Sequence, residues 1–513
     1  MRVLVDRGEV DILIPCEGTY PYVRGGVSSW IAQLIKGLPQ YRFGIAFIGS
    51  RRKDYAENPL FDFPENLVYL IEIFMFDEEE KPLIKAQNGD PKDMEEIQKL
   101  YQWFKQDQKG TPFPEEIKDL NFYLNRINES AFLYSREAWY FINNKNQENA
   151  PNISFLDYFW SVRSIHIPIW KMAKLAHKLK EKGSIIHSPS TGYAGFLSTL
   201  ISHDTNKPFL LTEHGIYTKE RKIDLISSTL SLHRKPELLR DASEENHIQQ
   251  MWVRFFEGIG KMSYSRANPI LSLFGVAKET QIAYGADPSR CRVIPNGVDI
   301  DHLGATLKDR STSIPKVITL IGRVVSIKDI KTFIRAIRIT ADTIPEIEAW
   351  IVGPDDEEIE YAKECRELIS ILDVEKHIKF LGFQNIVDIL PKSGLLTLTS
   401  ISEGMPLVIL EGFAAGVPCV STDVGSCKEL IYGGEDPEDQ ALGSAGEVCQ
   451  IANVAEIAHA YIDLLTNEER WRAAQNVAIE RVNRFYTQER FLDTYQKVYE
   501  EIFATLERPT WQG

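Results

Sequence analysis

Several things are scarce in this 513-residue sequence. No apolar run approaches the ~20 residues that span a bilayer. The opening MRVLVDRGEVDILIP is broken by Asp6, Arg7, Glu9 and Asp11, so it does not read as a signal peptide. There are six cysteines, Cys16, Cys291, Cys365, Cys419, Cys427 and Cys449, scattered without a C-x-x-C pair. That spacing argues against a structural zinc site and for a reduced, cytoplasmic protein. Positive charge is outweighed: 58 Lys and Arg stand against 73 Asp and Glu, a formal net charge of −15. This excludes a general surface for nucleic acid or anionic lipid, although not a local basic pocket. There is no H-E-x-x-H, no Ser-His-Asp order, no short-period repeat and no low-complexity block.

What is present is a strand–loop–helix rhythm in a chain long enough for two or three large domains. Its 43% hydrophobic and 26% charged residues are ordinary for a globular protein. Residues 10–15 (VDILIP) read as a strand, followed by the loop CEGTYPYVRGG. Val27, Ile31, Leu34, Ile35 and Leu38 then fall at helical spacing, and residues 41–48 restore strand character. The stretch 51–150, with FMFDEEEK, LYQWFKQDQK and AFLYSREAWYF, breaks the rhythm and reads as an irregular or helical insertion. Alternation returns at SIIHSPSTGYAGFLSTLI and PFLLTEHGIY, and 219–266 reads as mostly helical. A second α/β half is expected from Cys291. Its strands 316–320, 347–352, 378–381, 395–399 and 417–421 end in glycine or polar loops, and 453–507 reads as three helices. Such alternation implies parallel sheets covered by helices, with ligands bound beyond the carboxyl ends of the strands.

Residues 402–416, SEGMPLVILEGFAAG, hold two carboxylates in a greasy setting. Pro406 is expected to open a helix running to about Ala415, with Gly416 as its cap. Glu411 inside that helix has two readings: a core acid bonded to Arg or Lys, or an acceptor for ligand hydroxyls. The backbone of Gly404, Met405, Pro406 and Leu407 faces out from a helix N-terminus, a setting that suits an anion. Pro406 itself has no N–H to offer. Hydroxyls plus phosphate point to a nucleotide sugar.

Other groups are less specific. Gly25-Gly26 lets backbone approach a ligand closely, or forms a plain turn; the loop is neither G-x-G-x-x-G nor Walker A. Arg323 and Lys328 are two cations on one loop, suited to a diphosphate or simply solvated. His214, after the strand PFLL, is a hydrogen-bond donor or proton carrier, or else structural. His187 is a weaker candidate of the same kind. One D-x-D string occurs, Asp299-Ile300-Asp301, directly after the turn Pro295-Asn296-Gly297.

Taken in order, the Gly25-Gly26 loop, Pro295-Asn296-Gly297-Val298-Asp299, Gly322-Arg323 with Lys328, and Glu403-x7-Glu411 resemble family-4 retaining glycosyltransferases of the GT-B fold. The resemblance covers the C-terminal half and the first strand–loop–helix. More narrowly, EGTYPYVRGGVSSW, TEHGIYTKER and the insertion resemble the glycosyltransferases of Pel exopolysaccharide synthesis. The resemblance implies two Rossmann-like domains facing a central cleft. These are an acceptor domain over 1–290 with a largely helical insertion near 51–150, a nucleotide-sugar domain over 291–487, and a final helix over 488–513 crossing back. It implies catalytic roles for Glu403 and His214. It implies donor-binding roles for Gly25, Gly26, Arg323, Lys328, Phe383, Gly404, Met405, Pro406, Leu407 and Glu411. It further implies a UDP-sugar of the UDP-glucose type as donor, a polysaccharide as acceptor, no cofactor and no metal. Location is expected in the cytoplasm, with recruitment by an inner-membrane synthase and export complex. A catalytically silent scaffold and a UDP-sugar epimerase on the same fold are the alternatives.

Overall fold

The computed structural model describes residues 1–77, 90–105, 115–127, 129–220 and 242–506. Contacts divide the chain into two units, each with its own sheet. The first takes Met1–Ser272, Glu279–Arg292 and the chain from Tyr499 onward; the second takes Leu273–Lys278 and Val293–Val498.

The sheet of the first unit has eight strands. They are β1 (Arg2–Asp6), β2 (Ile12–Glu17), β3 (Phe43–Gly49), β4 (Leu67–Phe74), β5 (Ile185–Ser188), β6 (Phe209–Glu213), β7 (Ile270–Ser272) and β8 (Cys291–Val293). Their order is β1-β4-β3-β2-β5-β6-β7-β8. β1 lies antiparallel on β4, and the run from β4 to β7 is parallel. Every residue of β3 is buried, as a parallel strand covered on both faces requires.

Two expectations need correction here. The stretch 51–150 is not all insertion, because β4 (LVYLIEIF) is a buried inner strand paired to both β3 and β1. Its apolar run, broken only by Glu72, lacks the alternation that marks half-exposed strands. Cys291 does not open the second sheet either, since β8 closes the first. Beyond β4, the helices Pro91–Lys105, Glu129–Tyr134, Arg136–Asn149 and Phe155–Leu179 follow. Their Phe132, Ile142, Val162 and Trp170 share one core with Val68 and Ile71 of β4. The Trp170 indole N–H donates to the Ile127 carbonyl at 2.6 Å. In the 219–266 stretch, the helix Ala242–Arg266 is as expected, while 221–241 lies outside the described residues.

The sheet of the second unit is wholly parallel. It comprises β9 (Val317–Ile321), β10 (Glu348–Val352), β11 (Ile378–Gly382), β12 (Leu395–Leu398), β13 (Cys419–Thr422) and β14 (Gly446–Cys449), ordered β11-β10-β9-β12-β13-β14. The helix Ile330–Thr343 buries Phe333, Ile334 and Ile337 against this sheet's core, which also holds Tyr461 and Trp471. The tail folds as Val454–Thr466, Glu468–Phe485 and Gln488–Leu506. Among the described residues no helix is long and apolar enough to cross a membrane.

Candidate functional site

Strand order reverses between β9 and β12 in the second sheet. Loops leaving two adjacent parallel strands in opposite directions open a crevice at such a point, and ligands of α/β sheets bind there. The sequence delivers Lys328 to this point from β9 and Glu403 from β12. Lys328 Nζ donates to Glu403 Oε1 at 2.6 Å, and Ser400 Oγ donates to the same oxygen at 2.5 Å. The loops are tied to each other as well. Ile401 N bonds Ile327 O at 2.9 Å, Thr399 Oγ1 bonds Lys328 O at 2.9 Å, and Thr422 Oγ1 bonds Ser400 O at 2.7 Å. Gly425 takes φ +54°, and a Cβ there would collide with the Gly404 carbonyl; Ser426 N bonds that same carbonyl at 2.9 Å. The turn after β13 therefore needs glycine and clamps the Glu403–Gly404 backbone.

The next residues form the helix mouth. Met405 is buried and its Sδ accepts from Asn296 N at 3.3 Å. Pro406 is the N-cap, with φ −74° and ψ 107°, and the helix runs Leu407–Ala414. This is one residue shorter at each end than expected, because Pro406 keeps extended ψ. Gly416, at φ +68°, ends the helix in the left-handed region as expected. The amides of Leu407 and Val408 fall in the first turn, where no intrahelical acceptor exists. Glu411 lies one helical turn further on. Among the described residues no cation or hydrogen-bond donor pairs with its carboxylate, and burial pushes its pKa up to about 7. The reading in which an Arg or Lys neutralises Glu411 is therefore not what the fold provides.

Arg323 follows β9 but turns elsewhere: its Nη1 donates to Glu357 Oε1 and Oε2 at 2.6 and 2.5 Å, with both side chains half-exposed. Phe383 stands 78% exposed after β11, so its ring face is open to a ligand. Asp299 caps the helix Ile300–Gly304 by accepting from His302 N at 3.0 Å, which accounts for the first aspartate of the D-x-D string.

In the first sheet the order reverses between β2 and β5. Gly25 precedes the helix Gly26–Gly37, and a Cβ added to either Gly25 or Gly26 would meet nothing within 4 Å among the described residues. Packing does not demand these glycines; they leave space before a helix N-terminus. His214 follows β6 and packs edge-on to Trp30, with ring centroids 4.7 Å apart. Its Nε2 is enclosed with no hydrogen-bond partner among the described residues, and burial pushes its pKa down to about 3, so the ring is neutral. His187 resolves the other way. Its Nδ1 meets Tyr499 Oη and its Nε2 meets Thr212 Oγ1, both at 2.8 Å, as befits a satisfied core histidine. Glu213, beside His214, is fully buried and accepts from Thr191 Oγ1, Tyr264 Oη and Gln281 Nε2 at 2.9, 2.6 and 3.1 Å. Burial still raises its pKa.

The sequence reading missed Ser400, Glu357 and the Trp30–His214 contact. Ser400 had a signal, since it precedes Glu403 by three residues at a strand end. The other two join segments far apart in sequence and left none.

Residues 10–289 match the family described as Domain of unknown function (DUF3492), and residues 308–481 match the family described as Glycosyl transferases group 1. Over 314 residues the chain is 26% identical to UDP-Gal:alpha-D-GlcNAc-diphosphoundecaprenol alpha-1,3-galactosyltransferase of Escherichia coli, covering 56% of this chain and 72% of that enzyme. A stretch of 137 residues, 26% of this chain, is 32% identical to N-acetyl-alpha-D-glucosaminyl L-malate synthase of Bacillus anthracis, but spans only 34% of that protein. Among solved structures, Anabaena Alr3699/HepE in complex with UDP and glucose superposes with a TM-score of 0.56 at 14% identity, over 96% of this chain and all of the other (100%). Sucrose-phosphate synthase from Thermosynechococcus elongatus gives 0.58 at 14% identity, over 96% and 99% of the two chains. Likeness at such identity carries the fold, and that fold is GT-B, with two Rossmann-like units.

Proposed function

The chain belongs to the family described as Domain of unknown function (DUF3492) and carries a glycosyl transferases group 1 domain, and on that premise we propose that it is a retaining glycosyltransferase. It moves a hexose from a UDP-sugar, of the UDP-glucose type, to a growing exopolysaccharide. The observation that carries this reading is the pairing of two unlike carboxylates on one loop and helix at the strand-order reversal. Glu403 is held by Lys328 and Ser400, while Glu411 is largely buried and, among the described residues, unpaired.

Chemistry assigns them different work. Glu411 needs donors, and ribose hydroxyls supply them. Lys328, Arg323 and the amides around Gly404, Met405 and Leu407 meet the diphosphate, and Pro406 sets the angle of that helix mouth. Breaking the sugar–phosphate bond builds negative charge on the leaving diphosphate, which preorganised cations and a helix N-terminus stabilise. Glu403 faces the sugar and favours its oxocarbenium-like transition state. Phe383 frames the base. His214, being neutral, donates a hydrogen bond to a sugar hydroxyl, and Gly25 and Gly26 leave room for phosphate. With its charge met by these groups, the diphosphate needs no added cation. The Pel-type assignment, the glucose donor, cytoplasmic location and recruitment by inner-membrane partners rest on EGTYPYVRGGVSSW, TEHGIYTKER and the insertion.

The test is calorimetric titration against a panel of nucleotide sugars, joined to donor turnover with and without oligosaccharide acceptor. Saturable UDP-sugar binding with acceptor-stimulated turnover is expected. Failure to bind any nucleotide sugar would leave the silent scaffold. Interconversion of UDP-sugars without transfer would leave the epimerase.

A further inference from the structure

We propose that Ser400 is a positioning residue for the Glu403 carboxylate, and that it holds this group after Lys328 has left it for the donor's diphosphate. The inference rests on the reading of Glu403 as the carboxylate that faces the donor sugar.

Both donors grip a single oxygen. Ser400 Oγ lies 2.5 Å and Lys328 Nζ 2.6 Å from Glu403 Oε1. Among the described residues Oε2 has no hydrogen-bond partner, so one oxygen is anchored and the other is presented. The two anchors differ in how firmly they are themselves held. Ser400 is 1% exposed, its carbonyl accepts from Thr422 Oγ1 at 2.7 Å, and the next amide, Ile401 N, is bonded to Ile327 O at 2.9 Å. Its short side chain has one torsion to set, and its hydroxyl cannot reach bulk water. Lys328 ends the short helical turn Ser326–Lys328 on a flexible four-carbon stem, with 22% of its side chain exposed.

A diphosphate carries more negative charge than a carboxylate. An ammonium in reach of both moves toward the diphosphate or is shared with it. Glu403 then loses its charged partner just when its orientation matters, and the neutral hydroxyl of Ser400 is the anchor that remains. A neutral anchor suits this work, because it fixes the carboxylate without cancelling the negative charge that stabilises an oxocarbenium-like sugar.

The test compares Ser400→Ala, Ser400→Cys and Glu403→Gln by donor turnover, UDP titration and thermal melting. Ser400→Ala is expected to bind UDP like the wild type and to keep KM for the donor. Its kcat should fall roughly tenfold to hundredfold, the scale of one charge-assisted hydrogen bond. Ser400→Cys, of similar shape with a weaker donor, should fall between the two and keeps the test open if the alanine variant folds poorly. Wild-type kcat in a folded Ser400→Ala or Ser400→Cys variant would overturn the inference, as would a loss expressed in UDP affinity rather than in kcat. Glu403→Gln separates the two layers. If it retains full turnover, the reading of Glu403 is wrong; if it loses turnover while the Ser400 variants keep wild-type kcat, the positioning role alone is wrong.

Discussion

The candidate groups at the carboxyl edges of the two sheets are held in different ways. In the second unit, charge meets charge: Lys328 on Glu403, Arg323 on Glu357, and a helix mouth with unpaired amides. In the first unit the groups around His214 differ. His214 is uncharged against Trp30, Glu213 is buried among three donors, and a Cβ at Gly25 or Gly26 would meet nothing within 4 Å among the described residues. Both sheets reverse strand order at their candidate loops, so topology alone does not distinguish them. The side chains do.

The largest way to break this comparison is Glu403→Gln. If the charged edge performs the chemistry, kcat should drop by about 10²–10³, a scale known for removing one preorganised electrostatic group, with UDP affinity nearly kept. Comparable losses in both quantities would make Glu403 a binding residue instead. The next effect separates the two cations. Lys328→Ala should weaken UDP by roughly 1.5–3 kcal/mol while leaving uridine unchanged. Arg323→Ala should lose less, because its guanidinium is half-exposed and already paired to Glu357. Titrations of both ligands into both variants check this, and equal losses for UDP and uridine would remove the diphosphate role. At His214 the expected effect is an absence. Burial holds His214 near a pKa of about 3, so the pH–rate profile should show no limb from this ring at the usual imidazole pKa of 6.5. A limb there that vanishes in His214→Gln would mean the ring carries charge during turnover. Smallest of all, Asp301→Ala and EDTA should leave transfer intact if Lys328, Arg323 and the helix mouth meet the diphosphate's charge as proposed. Activity lost in EDTA and restored by Mg²⁺ or Mn²⁺ would reassign the electrophile.

Much of the charged edge was legible in the sequence, because its signals are local. Pro406, the apolar run to Ala415 and Gly416 announce a buried helix whose one acid is Glu411. Gly425 sits past a strand end where a side chain would strike the neighbouring loop. Less of the first unit was legible. The run LVYLIEIF has no alternation to mark it as a strand, so β4 was merged with the helices beyond it. Those helices then proved to share the sheet's core through Phe132, Ile142 and Trp170. The state of His214 depends on Trp30, which lies 184 positions earlier (214 − 30), and no local pattern encodes such a contact. The alternatives for Glu411 and His187 needed coordinates for the same reason: one has no partner in reach, and the other has two.

The account turns most directly on Glu411, whose pKa burial pushes up to about 7 with no partner among the described residues. Hydroxyls that donate to a carboxylate favour its ionised form. Uridine offers those hydroxyls without any phosphate to titrate. Its affinity for the intact chain, measured by calorimetry from below to above pH 7, should therefore tighten as the pH rises through about 7. In a folded Glu411→Gln variant, binding should be weaker and flat with pH. Wild-type affinity that ignores pH across this range, or a Glu411→Gln variant that binds uridine as well as the intact chain, would contradict the assignment of Glu411 to the ribose and with it the nucleotide-sugar site.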